Sequence, residues 1–257
     1  MKTAIVTDTN SGITVEEGRQ SGIFVLPMPV IIEEHCYLEG VDITNEDLYQ
    51  AMTADKNLSS SQPSPGDVMD LWNRVLESGY DEIVHIPMSS GLSGSCQTAK
   101  QLALDYDSKV QVVDNHRISV TLMESVYDAK FLADQGKSAV EIRKYLEETA
   151  YQASIFLTVN SLKYLKKSGR ITSSAAAIAN ILNIKPLGSD PLASGSMHDA
   201  PLIRNKTDDA APLNRNRISI FTCDCHVDGG NTVEGKICHA LPCGNGAVKG
   251  KVYKLLM

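Results

Sequence analysis

The sequence predicts an α/β fold: an N-terminal doubly wound, mainly parallel sheet, then a second α/β sheet domain. Two observations carry the first part. A strand-like segment, a polar loop and a helix-like segment follow one another three times, starting at residues 3, 82 and 109. The loops at 8–12, 89–95 and 114–119 then lie at the carboxyl ends of the strands, where open parallel sheets bind ligands. A third observation, the fresh strand-like run from Ser154, marks the second domain. The division expected is 1–150 and 151–257.

Thr3–Thr7 is a short, β-branched apolar run ended by Asp8-Thr9-Asn10-Ser11-Gly12, which reads as a buried strand opening into a polar loop. A helix is expected near Val15–Gly22. Ile23–Pro29 and Pro29–Ile32 are strand-like, with Pro27 and Pro29 marking an edge or a bulge. Thr44-Asn45-Glu46-Asp47 has the form of an N-cap with an acidic first turn, and a helix follows through Leu48 and Met52.

Pro65-Gly66-Asp67 opens the next helix, where Val68, Leu71, Trp72, Val75 and Leu76 recur at helical spacing. Glu82–Pro87 is a strand, and a helix runs through Ala99, Leu102 and Ala103 after its loop. Lys109–Val113 is a strand ended by Asp114-Asn115. Val120–Ala133 and Ala139–Ala150 are helices. In the second domain Ser154–Val159 is a strand and Ser173–Leu182 a helix of small residues. Residues 188–257 show little apolar periodicity and are atypical of a folded domain.

The 257 residues suffice for one large or two ordinary domains. A net charge of −7 argues against a general nucleic-acid binder, because phosphates would be repelled. No apolar run approaches the roughly 18 residues of a membrane span, and Met1-Lys2 leads straight into the first strand, so a cytoplasmic protein is expected. In that setting the six cysteines read as free thiols.

Two hydroxyl-rich segments stand out: Ser60-Ser61-Gln62-Pro63-Ser64-Pro65-Gly66-Asp67 and Ser89-Ser90-Gly91-Leu92-Ser93-Gly94-Ser95. Hydroxyls beside glycine N–H groups suit a small anionic or carbonyl head group, and a following helix adds its positive N-terminus. Proline stiffens the first segment. Apart from Asp67, which opens the next helix, neither segment holds a base, metal ligand or lysine, which favours binding over catalysis. The competing explanation for each is a turn that caps the next helix.

Other chemistries leave weaker marks. A nucleophile elbow needs G-x-S-x-G, and Gly91-Leu92-Ser93-Gly94-Ser95 ends on serine instead. A serine-dependent acyl hydrolase or transferase using Ser93, with His85 or His116 as base, is the alternative enzyme reading. Asp8-Thr9-Asn10-Ser11 would suit a phosphate or ribose, but neither glycine-rich nucleotide motif is present. Lys163, Lys166, Lys167 and Arg170 form either a solvated face or a docking patch for an acidic partner. Cys223, Cys225, His226, Cys238, His239 and Cys243 are zinc-ligand types at spacings that fit no common site, so no metal is assigned.

These segments resemble, in order, the motifs of the DegV family of bacterial fatty-acid-binding proteins. Thr7-Asp8-Thr9-Asn10-Ser11 is similar to its T-D-S-T-S. Val41-Asp42-Ile43-Thr44 is similar to an acidic stretch before its first long helix. Ser60 to Gly66 is similar to T-S-Q-P-S-x-G, and Ser89 to Ser95 to S-S-G-L-S-G-T. Leu162–Leu165, Gly169-Arg170-Ile171 and Leu182–Pro186 are similar to L-x-x-L, G-R-I and L-x-I-K-P. The resemblance spans residues 3–187.

It implies two α/β domains with one long-chain fatty acid between them and its tail in an apolar tunnel. It implies no cofactor and no catalysis by this chain. The carboxylate would be held by Ser60 and Ser93, with Ser61 and Gly94 beside them. A separate fatty acid kinase would be the partner, contacted through Arg170. His239 would approach the head group, by a loose likeness of residues 238–247 to the family's closing H-T-G-x-G-A-x-G. Three departures are visible: Ser60 replaces threonine, Gly12 stands where an acidic residue is usual, and the pattern fades after Leu187.

Overall fold

A computed structural model describes residues 1–158 and two later strand segments, 187–190 and 218–222. In chain order the elements are β1 (Thr3–Asp8), α1 (Val15–Ser21), β2 (Ile23–Leu26), β3 (Pro29–Ile32), β4 (His35–Leu38), α2 (Asn45–Thr53), β5 (Leu58–Ser60), α3 (Pro65–Glu77), β6 (Glu82–Ile86), α4 (Ser95–Leu102), β7 (Val110–Val112), α5 (Ser119–Asp134), α6 (Ala139–Glu148), β8 (Ser154–Thr158), β9 (Leu187–Asp190) and β10 (Ile218–Thr222).

Successive side chains of a strand leave on opposite faces, and β1 is buried on both. Ile5 of β1 packs with Val84 and Ile86 of β6 against Leu122 and Val126 of α5 and Ile142 and Leu146 of α6. Ala4 and Val6 pack with Ile83 against Val68, Trp72 and Val75 of α3 and Ala99 of α4. The sheet between them is parallel throughout, in the order β2-β1-β6-β7. Helices on both faces make it the doubly wound sheet that the repeats predict.

Local chemistry starts the helices. Thr14 with Glu17, Thr44 with Asp47, Ser64 with Asp67 and Ser138 with Glu141 form capping boxes at α1, α2, α3 and α6. Each satisfies backbone N–H groups that the first helical turn leaves open. Gly18 in α1 lets that helix lie directly on β2: an ideal Cβ there would sit 2.5 Å from Val25 Cγ2 and 2.7 Å from the Ile23 carbonyl oxygen.

Pro27 and Met28 separate β2 from β3, and there the chain leaves the parallel sheet for a small antiparallel one, β4-β3-β5. The edge or bulge expected at Pro27 is this hand-over. The sequence pattern missed β4 and β5. Both are short edge strands with much of their surface exposed, so neither shows a clear apolar alternation. Ser60 is the last residue of β5, paired with Val30, so the first hydroxyl segment begins in a strand rather than a loop. Val30, Ile32, Ile43, Leu48 and Ala51 form the core under this sheet and α2.

A further sheet has the order β10-β8-β9, with β8 parallel to β10 and antiparallel to β9. It begins at the strand expected from Ser154. It also places strands at 187–190 and 218–222, where the sequence showed little pattern. The basic segment 163–170, the helix expected at 173–182, Arg170, His239 and the cysteine-rich tail lie outside the described residues. Among the described residues no helix is long and apolar enough to cross a membrane.

Candidate functional site

The carboxyl ends of β1, β6 and β7 bring the three polar loops together, and hydrogen bonds join them. Oδ2 of Asp8 accepts the Met88 N–H at 2.9 Å. Thr7 Oγ1 donates to the Ile86 carbonyl at 2.9 Å. The Ser89 N–H donates to the Arg117 carbonyl at 2.9 Å, and the Ser90 N–H to Asp114 Oδ1 at 3.4 Å.

Within the second hydroxyl loop, the Leu92 and Ser93 N–H groups donate to the Ser89 carbonyl at 3.0 and 3.2 Å. The Ser93 hydroxyl accepts the Ser95 N–H at 3.2 Å, at the first turn of α4. Ser93 is half-buried and Gly94 exposed. The hydroxyl is thus fixed by its own loop and keeps a donor for another group.

The first hydroxyl segment arrives from the small sheet, where the Ser61 N–H donates to the Pro29 carbonyl at 3.2 Å. Ser60 and Ser61 are exposed. Gln62 makes the connection: its side-chain amide bonds Thr98 Oγ1 of α4 at 3.1 Å, and its Oε1 lies 3.0 Å from where a Cβ on Gly94 would stand. The structure therefore brings segments 60–64 and 93–98 against each other. The sequence reading missed Gln62 and Thr98 as the contact, although Gln62 sits inside the motif it singled out. Ser64 has a different role: its hydroxyl donates to Asp67 Oδ2 at 2.6 Å in the α3 cap.

Beneath this junction is a small cleft lined by Asp8, Leu26, Pro63, Val68, His85, Pro87, Ser95 and Thr98. Burial pushes the Asp8 carboxyl up to about 6, against the opposing pull of N–H groups from Met88 and Asn10. Burial pushes the His85 imidazole down to about 3, so the ring is neutral at ordinary pH. The ring meets Trp72 edge-on with centroids 5.5 Å apart, on the α3 face of the sheet. Cys96 is buried too, which raises its thiol to about 12 and leaves it inert.

The first loop does not suit a phosphate. Asp8 is turned inward, Thr9 Oγ1 donates to Glu39, and Ser11 Oγ donates to the Asp8 carbonyl at 2.8 Å. Two carboxylates at that point repel an anion, and its hydroxyls are already committed. At the third loop His116 Nδ1 lies 3.5 Å from Asp114 Oδ1, and the ring stacks on Tyr151 with centroids 5.5 Å apart.

Comparison with known proteins places this arrangement. Residues 2–208 match the model of the DegV family, described as uncharacterised proteins. A DegV domain-containing protein of Staphylococcus aureus (strain N315) is 34% identical over 188 residues, which are 73% of this chain and 67% of that one. One from Deinococcus radiodurans is 35% identical over 188 residues, 73% and 66% of the two chains.

Among solved structures, a DegV family protein from Thermus thermophilus, described as binding fatty acid, superposes with a TM-score of 0.64 at 29% identity, covering 73% of this chain and 67% of that one. A stearic acid-binding protein from Eubacterium ventriosum gives 0.63 at 29% identity, covering 73% and 66%. The chain spans about two thirds of the length of these relatives. With residues 2–208 matched, well over half of its length, the protein belongs to the DegV family.

Proposed function

We propose that this protein binds a long-chain fatty acid and presents it to a separate fatty acid kinase, without catalysing a reaction itself. The carboxylate is held by the hydroxyls of Ser60 and Ser93, with Ser61 and Gly94 beside them. His239 approaches the head group and Arg170 serves the partner. The acid lies between an N-terminal domain, residues 1–150, and a C-terminal one, 151–257, in the cytoplasm. Relatives described as binding fatty acids support the ligand class.

One observation carries the reading: Gln62 joins the two hydroxyl segments at the carboxyl edge of the parallel sheet. Isolated on a surface, a serine hydroxyl contributes little to binding. Two segments held together can surround one head group. A carboxylate moved out of water needs charge-assisted hydrogen bonds to offset desolvation. The acyl tail supplies the affinity, at about 0.8 kcal/mol per buried methylene. The enzyme alternative gains no support at His85, whose buried imidazole, lowered to about 3 and packed edge-on against Trp72, is too weak a base to take the Ser93 proton.

The test is native mass spectrometry of the purified protein with organic extraction of its cargo. A co-purifying long-chain acid, lost in Ser93→Ala, is the expected result. A protein that is bare and takes up neither oleate nor palmitate would overturn the reading.

A further inference from the structure

We infer that Arg117 is a positioning residue for the Ser93 loop, fixing it to the segment that leaves α6. The inference takes its ligand from the fatty-acid reading above.

Arg117 acts at both ends. Its backbone carbonyl accepts the Ser89 N–H at 2.9 Å, and the Ser89 carbonyl in turn accepts the Leu92 and Ser93 N–H groups. Two hydrogen bonds therefore separate Arg117 from the backbone of Ser93. Its guanidinium is buried and spread over three acceptors. Nε donates to the Ala150 carbonyl at 3.1 Å, Nη1 to Ser125 Oγ of α5 at 2.7 Å, and Nη2 to the Thr149 carbonyl.

Those carbonyls lie just past the end of α6, where a helix leaves acceptors open and its dipole favours a cation. A planar fork of fixed geometry reaches all three at once; the point charge of a lysine does not.

The backbone around Arg117 shows why such fixing is needed. His116 and Ser119 take left-handed conformations, with φ of 55° and 54°, which side-chain-bearing residues disfavour. Conformations of that kind persist where their surroundings over-determine them. Arg117 supplies that constraint through α5 on one side and the α6 exit on the other. The α6 exit leads within a few residues to β8, the first strand of the second sheet. Arg117 thus ties the placement of Ser93 to the connection between the two sheets.

The test compares Arg117→Lys and Ser125→Ala with wild type, titrating oleate and oleyl alcohol and following hydrogen exchange at the Ser89 amide. Oleyl alcohol has the same tail without the carboxylate. Arg117→Lys should weaken oleate by about tenfold and oleyl alcohol by less than about twofold, with faster exchange at Ser89. Ser125→Ala keeps the cation and deletes one acceptor, so it should show the same selectivity at smaller size and guards against a misfolded lysine variant. Equal loss for both ligands, or unchanged oleate affinity with unchanged Ser89 protection, would overturn the inference. If wild type binds no oleate, the fatty-acid reading fails, and Ser89 exchange alone then decides the role of Arg117.

Discussion

Asp8 and Met88 are joined across the carboxyl edge of the parallel sheet, the Met88 N–H donating to Oδ2 of Asp8 at 2.9 Å. The bond links residues 80 positions apart and holds the first polar loop against the second. The acceptor is a buried carboxyl raised to about 6, and His85, on the next strand, is a buried imidazole lowered to about 3.

These two groups give opposite pH slopes. Between about pH 4 and 6 the folded protein holds a proton on Asp8 that the unfolded chain has lost, so this group removes stability as pH rises. Between about pH 3 and 6.5 the unfolded chain holds a proton on His85 that the folded protein lacks, so this group adds stability as pH rises. They offset each other over pH 4–6. Asp8→Asn deletes one side of the balance. Its urea-denaturation stability should then fall on acidification from pH 6 to 4 more steeply than that of wild type, by about 1.4 kcal/mol per pH unit. Parallel curves would refute the assignment.

Gly94→Ala should separate stability from binding. Gly94 has ordinary helical backbone, φ −71°, so alanine costs no strain and removes freedom from the unfolded chain. The new methyl would meet Gln62 Oε1 at 3.0 Å and displace that side chain. Thermal stability should stay level or rise by about 0.5 kcal/mol while oleate affinity drops. Loss of both together would mean that the Gln62 contact supports the fold instead.

Two serines of similar appearance should behave in opposite ways. Ser64→Ala breaks the α3 capping box and should cost about 1 kcal/mol of stability with oleate affinity retained. Ser93→Ala should leave stability within about 0.5 kcal/mol and lower oleate affinity. Calorimetry on both variants checks the pair, and a reversed pattern would exchange their roles.

Gly18→Ala should be destabilising by about 1–3 kcal/mol, because its methyl would stand 2.7 Å from the Ile23 carbonyl oxygen, and backbone cannot turn away as a side chain can. Denaturant titration that shows wild-type stability would mean that α1 can lift off β2 freely.

Much of the parallel sheet was legible because its strands are bounded by strong polar loops and its helices carry clear periodicity. Val68, Leu71, Trp72 and Val75 fall on one buried face of α3 as their spacing implies. The small sheet was not legible. His35–Leu38 and Leu58–Ser60 are strands because β3 offers them partners, and that pairing leaves no local trace. The loop expected at Ser60 is therefore the last residue of a strand.

The candidate site, as proposed, was half legible. Ser93 and Gly94 stood out through glycine and hydroxyl density. Gln62 and Thr98 contact each other across 36 positions and carry no special spacing. Arg117 gave no signal, since one arginine among loop residues has the same appearance whether solvated or buried.

The order of the parallel sheet also bears on how the chain emerges from the ribosome. β1 pairs on one side with β2, whose residues follow almost at once, and on the other with β6, where Thr3 faces Glu82. At about 5–20 residues per second, roughly 4–16 s of synthesis separate these partners. Throughout that interval Ala4, Ile5 and Val6 stand beside an unpaired edge, the kind of template that recruits foreign strands. The nascent chain is most open to aggregation, or to a chaperone, in the window that closes when His85 and Ile86 clear the exit tunnel.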